Sequence, residues 1–121
     1  MTNKTVLETG AEKDLTGKLR FDLIPPEVLE SYAAVLTLGA KKYADRNWEK
    51  GIPASVCIGS LMRHLSEFLQ GKLINTNDGD LMHVEHMLFW VAALVTNLKR
   101  ERLDLLDLPA YTEGNTQEKV K

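Results

Sequence analysis

The chain has 121 residues, of which 44% are hydrophobic and 26% are charged, and its formal net charge at pH 7 is −2. Because these values are ordinary for one folded domain, we expect a single domain over residues 1–121 and neither a disordered nor a membrane-resident chain. The negative net charge argues against duplex nucleic acid as a partner, since proteins that bind the phosphate backbone usually carry a basic surface.

The N-terminal stretch is polar and shows no periodicity, so residues 1–20 are predicted to form a flexible arm. Its sequence, MTNKTVLETGAEKD, has no apolar run that could serve as a signal peptide. The single cysteine, Cys57, cannot form a disulfide within the chain. Together these features indicate a reducing cytoplasm as the compartment.

The first predicted helix covers residues 26–43. Pro25 and Pro26 suit the first turn of a helix, and Glu27 complements the positive end of the helix dipole. Apolar residues then recur at helical spacing as far as Gly39, where the pattern stops.

The second predicted helix covers residues 55–71. It is separated from the first by EKGIPAS, in which a glycine and a proline interrupt the helical pattern. Ser55 is a suitable N-cap, an apolar stripe follows at helical spacing, and Gly71 ends it.

The third predicted helix covers residues 81–98 and is apolar on nearly all sides, which is typical of a helix buried by its neighbours. Its length approaches that needed to span a bilayer. His83, Glu85 and His86 in its first turns would make such a span costly, however. The pattern therefore favours a buried central helix.

A short fourth helix over residues 99–107 completes the predicted all-α fold, and Pro109 begins a polar tail, residues 109–121. No segment alternates with period two for long enough to predict a sheet. Three helices of this length bury a core poorly in one copy. We therefore expect a small helical bundle completed by dimer or tetramer assembly through exposed apolar faces.

The three histidines of the chain fall in two short segments, RHLSE and DLMHVEH. His64 lies three residues before Glu67. His83 lies three residues before His86, with Asp80 one turn earlier. Because residues three or four apart share a helix face, each pair can point at a common position between two helices, as the ligands of metal sites in helical bundles do.

Other interpretations of these polar residues stay open. The histidine and acid of the second helix could form a solvated face. An exposed start of the third helix would remove the several kcal/mol that buried, unpaired charge costs, whereas a buried start favours a site. Glu27 and Glu30 form a further pair three residues apart, which either answers the helix dipole or, in the case of Glu30, supplies a ligand.

The cluster KKYADRNW follows the first helix and contains the chemistry that a nucleotide requires. Cationic side chains suit phosphate, aromatic rings stack on a base, and an asparagine amide can bond to base edges. The candidate binding residues, with two cations from the arm, are Lys18, Arg20, Lys42, Tyr43, Arg46, Asn47 and Trp48. The alternatives are a helix C-terminus whose aromatic residue covers the core, and a solvated loop in the arm.

The stretch KLRFDLIPPEVLESYAAVLTLGAKKYADRNWEKG, followed by the RH of LMRHLSEFLQG and the HxxH of HVEHMLFW, resembles the phage family of dATP/dGTP diphosphohydrolases of the MazZ type. The likeness extends over residues 12–98. This family is similar to the all-α nucleotide pyrophosphohydrolases of the MazG type. The resemblance implies a homodimer or homotetramer in the host-cell cytoplasm that binds Mg²⁺ or Mn²⁺ between its helices.

The resemblance also implies the reaction, in which a purine (deoxy)nucleoside triphosphate, dGTP, GTP or dATP, is split into the monophosphate and pyrophosphate. Glu67, His83 and His86 are the catalytic candidates. The metal ligands that we expect are Glu30, His64, Glu67, Asp80, His83 and His86. A non-catalytic nucleotide-binding or helical assembly protein is the alternative function.

One difference from the MazG-type sequence pattern affects which metal ion we expect. The MazG-type enzymes carry EExxE and ExxD where this chain has RHLSE and HVEH, so only Glu67 keeps its carboxylate. Histidine suits Mn²⁺, Co²⁺ or Zn²⁺ better than Mg²⁺. The sequence therefore extends the candidate cofactors to these ions.

Overall fold

The structure, a computed structural model, describes residues 4–112. Its elements are β1 (Lys4–Val6), β2 (Glu12–Asp14), α1 (Pro26–Lys42), α2 (Ala54–Leu69) and α3 (His83–Lys99). The predicted all-α fold is confirmed in its three main helices, to which a small two-stranded sheet is added. Within the described range, no helix is long and apolar enough to cross a membrane.

The sheet lies in the segment that we predicted to be a flexible arm. Strands β1 and β2 pair antiparallel with Lys4 opposite Asp14, and the ammonium of Lys4 lies 3.2 Å from a carboxylate oxygen of Glu12. The prediction that the chain forms no sheet was therefore wrong here, and the flexibility of the arm stays a prediction. Three-residue strands that are exposed along their whole length show no alternation of apolar and polar residues, so periodicity could not reveal them.

Helix α1 begins where the sequence predicts. Pro25 is its N-cap, Pro26 is its first residue, and Glu27 lies in its first turn. The helix ends at Lys42, and the backbone N–H of Tyr43 donates to the carbonyl oxygen of Gly39 at 3.0 Å. The first two residues of KKYADRNW are therefore the last of α1, and the other six follow the helix.

Helix α2 begins one residue before its predicted start. Ser55 is therefore inside the helix, and the prediction that it is the N-cap was wrong, since Pro53 holds that position. Instead, the backbone N–H of Ser55 donates to a carboxylate oxygen of Asp107 at 2.8 Å, and its hydroxyl donates to the other oxygen. An acceptor 52 residues away cannot be recognised from local capping rules.

Helix α3 is the central element and packs against both α1 and α2. Met82 is its N-cap, and the backbone N–H of Met82 donates to the carboxylate of Glu85 at 2.9 Å, so this acid caps the helix. The predicted fourth helix over residues 99–107 is only a single 3-10 turn, Leu103–Leu105. The predicted polar tail lies outside the described residues from residue 113 onward.

The bundle leaves much apolar surface uncovered. Among the described residues, the buried hydrophobic side chains are Val35, Ala54, Cys57 and Ala93. Met62, Leu69 and Val95, by contrast, are 61%, 74% and 47% exposed. Exposed apolar area of this kind supports the prediction of self-association, which stays a prediction.

Gly79 holds the turn between α2 and α3 against α1. Its φ is +74°, and a Cβ built there would lie 2.8 Å from Leu38 Cδ2. Gly79→Ala is expected to lower the free energy of unfolding by about 2 kcal/mol or more, because strain and overpacking add. Gly71→Ala is the matched control, since φ is +88° there and nothing lies within 4 Å of an added Cβ.

Urea denaturation of both variants measures this difference. The control substitution should cost only the backbone strain, about 1 kcal/mol. Equal losses in the two variants would contradict a role for the close approach of the turn to α1.

Candidate functional site

His64 of α2 contacts two histidines of α3, His83 and His86. The Nδ1 atoms of His64 and His83 lie 2.9 Å apart. The rings of His64 and His86 stack in parallel, with centroids 4.6 Å apart and 2° between their planes. His83 and His86 are buried. The helical spacing of these residues therefore brings three imidazoles together between the two helices.

The cluster favours uncharged imidazoles. Burial lowers the pKa of His64 to about 4, and the neighbouring His86 and His83 add to this shift. Burial also lowers the pKa of His86, although the charge and the backbone carbonyl of Asp78 oppose the shift. At neutral pH these two rings are consequently in the form that accepts a proton or binds a metal ion.

The lowered pKa of His64 predicts a pH dependence of stability. Between pH 6.5 and about 4 the unfolded chain binds a proton on this residue that the folded chain does not, so the free energy of unfolding should fall as the pH falls through this window. Urea denaturation in EDTA at pH 7 and pH 4.5 measures the difference. His64→Gln should reduce it, and an unchanged difference in this variant would contradict the assignment.

A cavity of about 920 Å³ joins the end of α1 to the histidines. From the KKYADRNW segment, the predicted binding residues Lys42, Tyr43, Arg46, Asn47 and Trp48 all line it. His64 and His86 line the same cavity. The two features that the sequence singled out separately therefore border one space, which we call the first cavity.

The two aromatic residues of the segment differ in how they are held. Trp48 is half-buried and packs edge-on against Phe89, with centroids 5.7 Å apart and 84° between the rings. Tyr43 is 67% exposed, and the ammonium of Lys42 lies 5.5 Å from its ring centroid. Trp48 thus belongs to the wall of the cavity, whereas Tyr43 presents a ring that a ligand can reach.

The cations of the first cavity are paired with carboxylates. Lys42 lies 3.2 Å from Asp78. The carboxylate of Glu49, 16% exposed, accepts from Arg46 at 3.1 Å and from Arg100 at 2.8 Å. Asp78, Glu49 and Arg100 were absent from our sequence-based set. Of these three residues, only Glu49 could have been found from the sequence, because it directly follows KKYADRNW.

Four of the predicted site residues line neither the first cavity nor the second cavity described below. They are Lys18, Arg20, Glu30 and Asp80. The guanidinium of Arg20 lies 2.7 Å from Asp22 in an exposed loop. Asp80 occupies a turn before α3 with a φ of +56°. None of these four residues therefore lies in the wall of either cavity, and their roles stay predictions.

A second cavity, of about 510 Å³, lies on the Glu67 side of the histidines. His64 borders both cavities, and His83 borders the second. Glu67 lines it as well and lies 2.8 Å from Lys72. The chain after α2 supplies residues 74–77 of its lining, and there the backbone N–H of Asn75 donates to Leu81 O at 2.8 Å.

The histidine cluster has the chemistry of a metal site without a complete set of ligands in place. Across residues 4–112, no group of three or more histidine, cysteine or acidic side chains is positioned to hold a metal ion. The Nδ1 atoms of His64 and His83 have the separation of about 3 Å expected for two nitrogens that each bind one ion at about 2.0–2.1 Å. This pair fits a divalent ion, and a third ligand would have to move towards it.

Comparison with known proteins gives one finding. A family model described as dATP/dGTP diphosphohydrolase, N-terminal, matches residues 8–105. The match includes the three helices, KKYADRNW, the three histidines and all residues that line the two cavities. No curated protein and no solved structure matches the chain.

Proposed function

Because the chain belongs to the dATP/dGTP diphosphohydrolase family, by its match to the N-terminal model, we propose that it hydrolyses dGTP or dATP to the monophosphate and pyrophosphate. One observation carries this proposal. The aromatic, cationic and amide side chains suited to a nucleotide border the same cavity as His64 and His86.

The nucleoside would occupy the first cavity. The exposed ring of Tyr43 offers a stacking surface for a base, and purines, with two fused rings, stack over a larger area than pyrimidines. The amide of Asn47 can donate to and accept from a base edge. Trp48, held by Phe89, supplies a rigid wall.

Lys42 is the cation of this cavity best placed to exchange its partner for a phosphate. Its ion pair with Asp78 is single and exposed, and such pairs contribute little to stability. Arg46 and Arg100, by contrast, share the carboxylate of Glu49. The guanidinium of Arg46 donates to the carboxylate of Glu49, which is mostly buried. Arg46 would therefore help to shape the cavity instead of binding phosphate. This division refines the sequence-based set, in which both residues bind phosphate.

His86, which lies outside the pair of His64 and His83 that fits a metal ion, would receive the proton of the attacking water. Its oxygen forms the new bond to the α-phosphorus, and the bond to the bridging oxygen breaks with its electron pair leaving on pyrophosphate. A neutral imidazole can accept the water proton as a general base. Stacking on His64, with ring centroids 4.6 Å apart, holds His86 in place for this role.

We propose that His64 and His83, with Glu67 as the acid of α2, would hold a divalent ion, Mg²⁺ or Mn²⁺. Such an ion would lower the pKa of water and offset phosphate charge. Removal of divalent ions with EDTA should therefore stop turnover, and added Mn²⁺ should restore it. Circular dichroism checks that the helices persist, and undiminished turnover in EDTA would contradict the metal.

The proposed reaction is tested by incubating the protein with each of the eight common nucleoside triphosphates in Mg²⁺ or Mn²⁺ and separating the products by ion-exchange chromatography. We expect a purine deoxynucleotide to react fastest and to give equal amounts of monophosphate and pyrophosphate. Release of orthophosphate would contradict the proposal. Binding without turnover would support the non-catalytic alternative.

A further inference from the structure

We propose that the second cavity is a binding site for a diphosphate group. In identifying that group as the β- and γ-phosphates of the substrate, and afterwards as the pyrophosphate product, this inference rests on the proposed function. The site consists of Arg63 and Lys72, the side-chain amides of Asn75 and Asn77, and the imidazoles of His64 and His83.

The lining of the second cavity suits a phosphate and not a base. Among the described residues that line it, Ile74 is the only aliphatic one, and the two imidazoles are the only rings. Guanidinium, ammonium and amide groups supply donors of the kind that phosphate oxygens accept. The first cavity, in contrast, includes Tyr43 and Trp48. The chemistry of the two spaces thus separates a nucleoside from its phosphate tail.

The charged side chains of the two cavities also favour the second cavity as the phosphate site. In the first cavity every lysine and arginine is paired with an acid, so a triphosphate there would have to displace carboxylates. In the second cavity two cations face one acid, Glu67, which is paired with Lys72. Arg63 has no carboxylate partner within the described chain, and its guanidinium donates to Ser60 Oγ at 2.9 Å. One positive charge is therefore free for an anion.

The position of the histidines connects the two spaces. His64 borders both cavities, while His86 borders the first and His83 borders the second. A nucleotide could place its base beside Tyr43 and its terminal phosphates beside Arg63. His64 would then lie next to the part of the nucleotide that connects the base to those phosphates. The group at His64 would then be the α-phosphate, and cleavage there releases the two phosphates held in the second cavity.

Calorimetric titration with inorganic pyrophosphate, on the full chain in EDTA, tests this site. Arg63→Gln and Lys72→Gln are each expected to weaken pyrophosphate binding by about tenfold, the effect of losing one charge-assisted hydrogen bond. Lys41→Gln is the matched control, because it removes one positive charge from an exposed residue of α1 that lines neither cavity. The Lys41→Gln variant should bind pyrophosphate with the same affinity as the wild-type protein.

A second titration, with dGMP, distinguishes the phosphate tail from the rest of the nucleotide. Since dGMP lacks the diphosphate, Arg63→Gln and Lys72→Gln should leave its affinity unchanged. The inference is overturned if wild-type protein does not bind pyrophosphate, if both variants bind it as wild type does, or if Lys41→Gln weakens it equally.

The outcomes also separate this inference from the proposed function. Weakened pyrophosphate binding in Arg63→Gln and Lys72→Gln supports the anion site even if no nucleoside triphosphate is hydrolysed. Hydrolysis to monophosphate with unaltered pyrophosphate binding in both variants supports the proposed function and overturns the anion site.

Discussion

Replacing His83 with alanine is expected to lower the turnover of dGTP and dATP by at least about a hundredfold, because it removes a proposed ligand of the ion that activates the attacking water. His83 is buried, and its Nδ1 contacts Nδ1 of His64. The substitution removes a candidate metal ligand and also the partner that orients His64. Steady-state kinetics with Mn²⁺ measures the loss.

His83→Asn separates this chemical role from packing. Asparagine fills part of the buried site and keeps a polar atom near the position of Nδ1, but it offers no imidazole nitrogen to a metal ion. We expect this variant to unfold at a higher urea concentration than His83→Ala and yet to be as inactive. Full activity in either variant would contradict a role for the imidazole.

Replacing Tyr43 with alanine is expected to raise the KM for a purine triphosphate by about tenfold or more, since stacking of a base on an aromatic ring contributes about 1–3 kcal/mol. The ring lines the first cavity and is 67% exposed, so its loss should disturb the fold little. The histidines are unaltered, and kcat should therefore change much less than KM.

Tyr43→Phe is the matched control for this prediction. It keeps the ring and removes only the hydroxyl, so KM should stay close to the wild-type value. A KM that rises equally in Tyr43→Phe and Tyr43→Ala would assign the effect to the hydroxyl. An unchanged KM in Tyr43→Ala would contradict stacking on this residue.

The helices could be predicted because their signals are local. The two prolines at the start of α1 and the apolar runs of α2 and α3 act over a few turns, and the structure contains a helix at each place. The errors concern weak or distant signals. The hairpin of β1 and β2 is too short for periodicity, and Ser55 is bound by Asp107 from the far end of the chain.

In the candidate site, too, features set by local sequence could be predicted, and contacts between distant residues could not. Spacing along α2 and α3 predicted that histidines from the two helices could converge, because a helix fixes which residues share a face. No such rule places Asp78 beside Lys42, or Arg63 and Lys72 at one cavity, since the turn after α2 brings these groups together. The family resemblance seen in the sequence is confirmed by the match over residues 8–105.

The most direct test of the central claim, that the α-phosphate of a purine nucleotide lies at the histidine cluster, is hydrolysis of dGTP and dATP in H₂¹⁸O with Mn²⁺, followed by mass spectrometry of both products. Attack at the α-phosphorus predicts one ¹⁸O atom in the monophosphate and none in pyrophosphate. Label in pyrophosphate, release of orthophosphate, or no hydrolysis of either nucleotide would contradict the account.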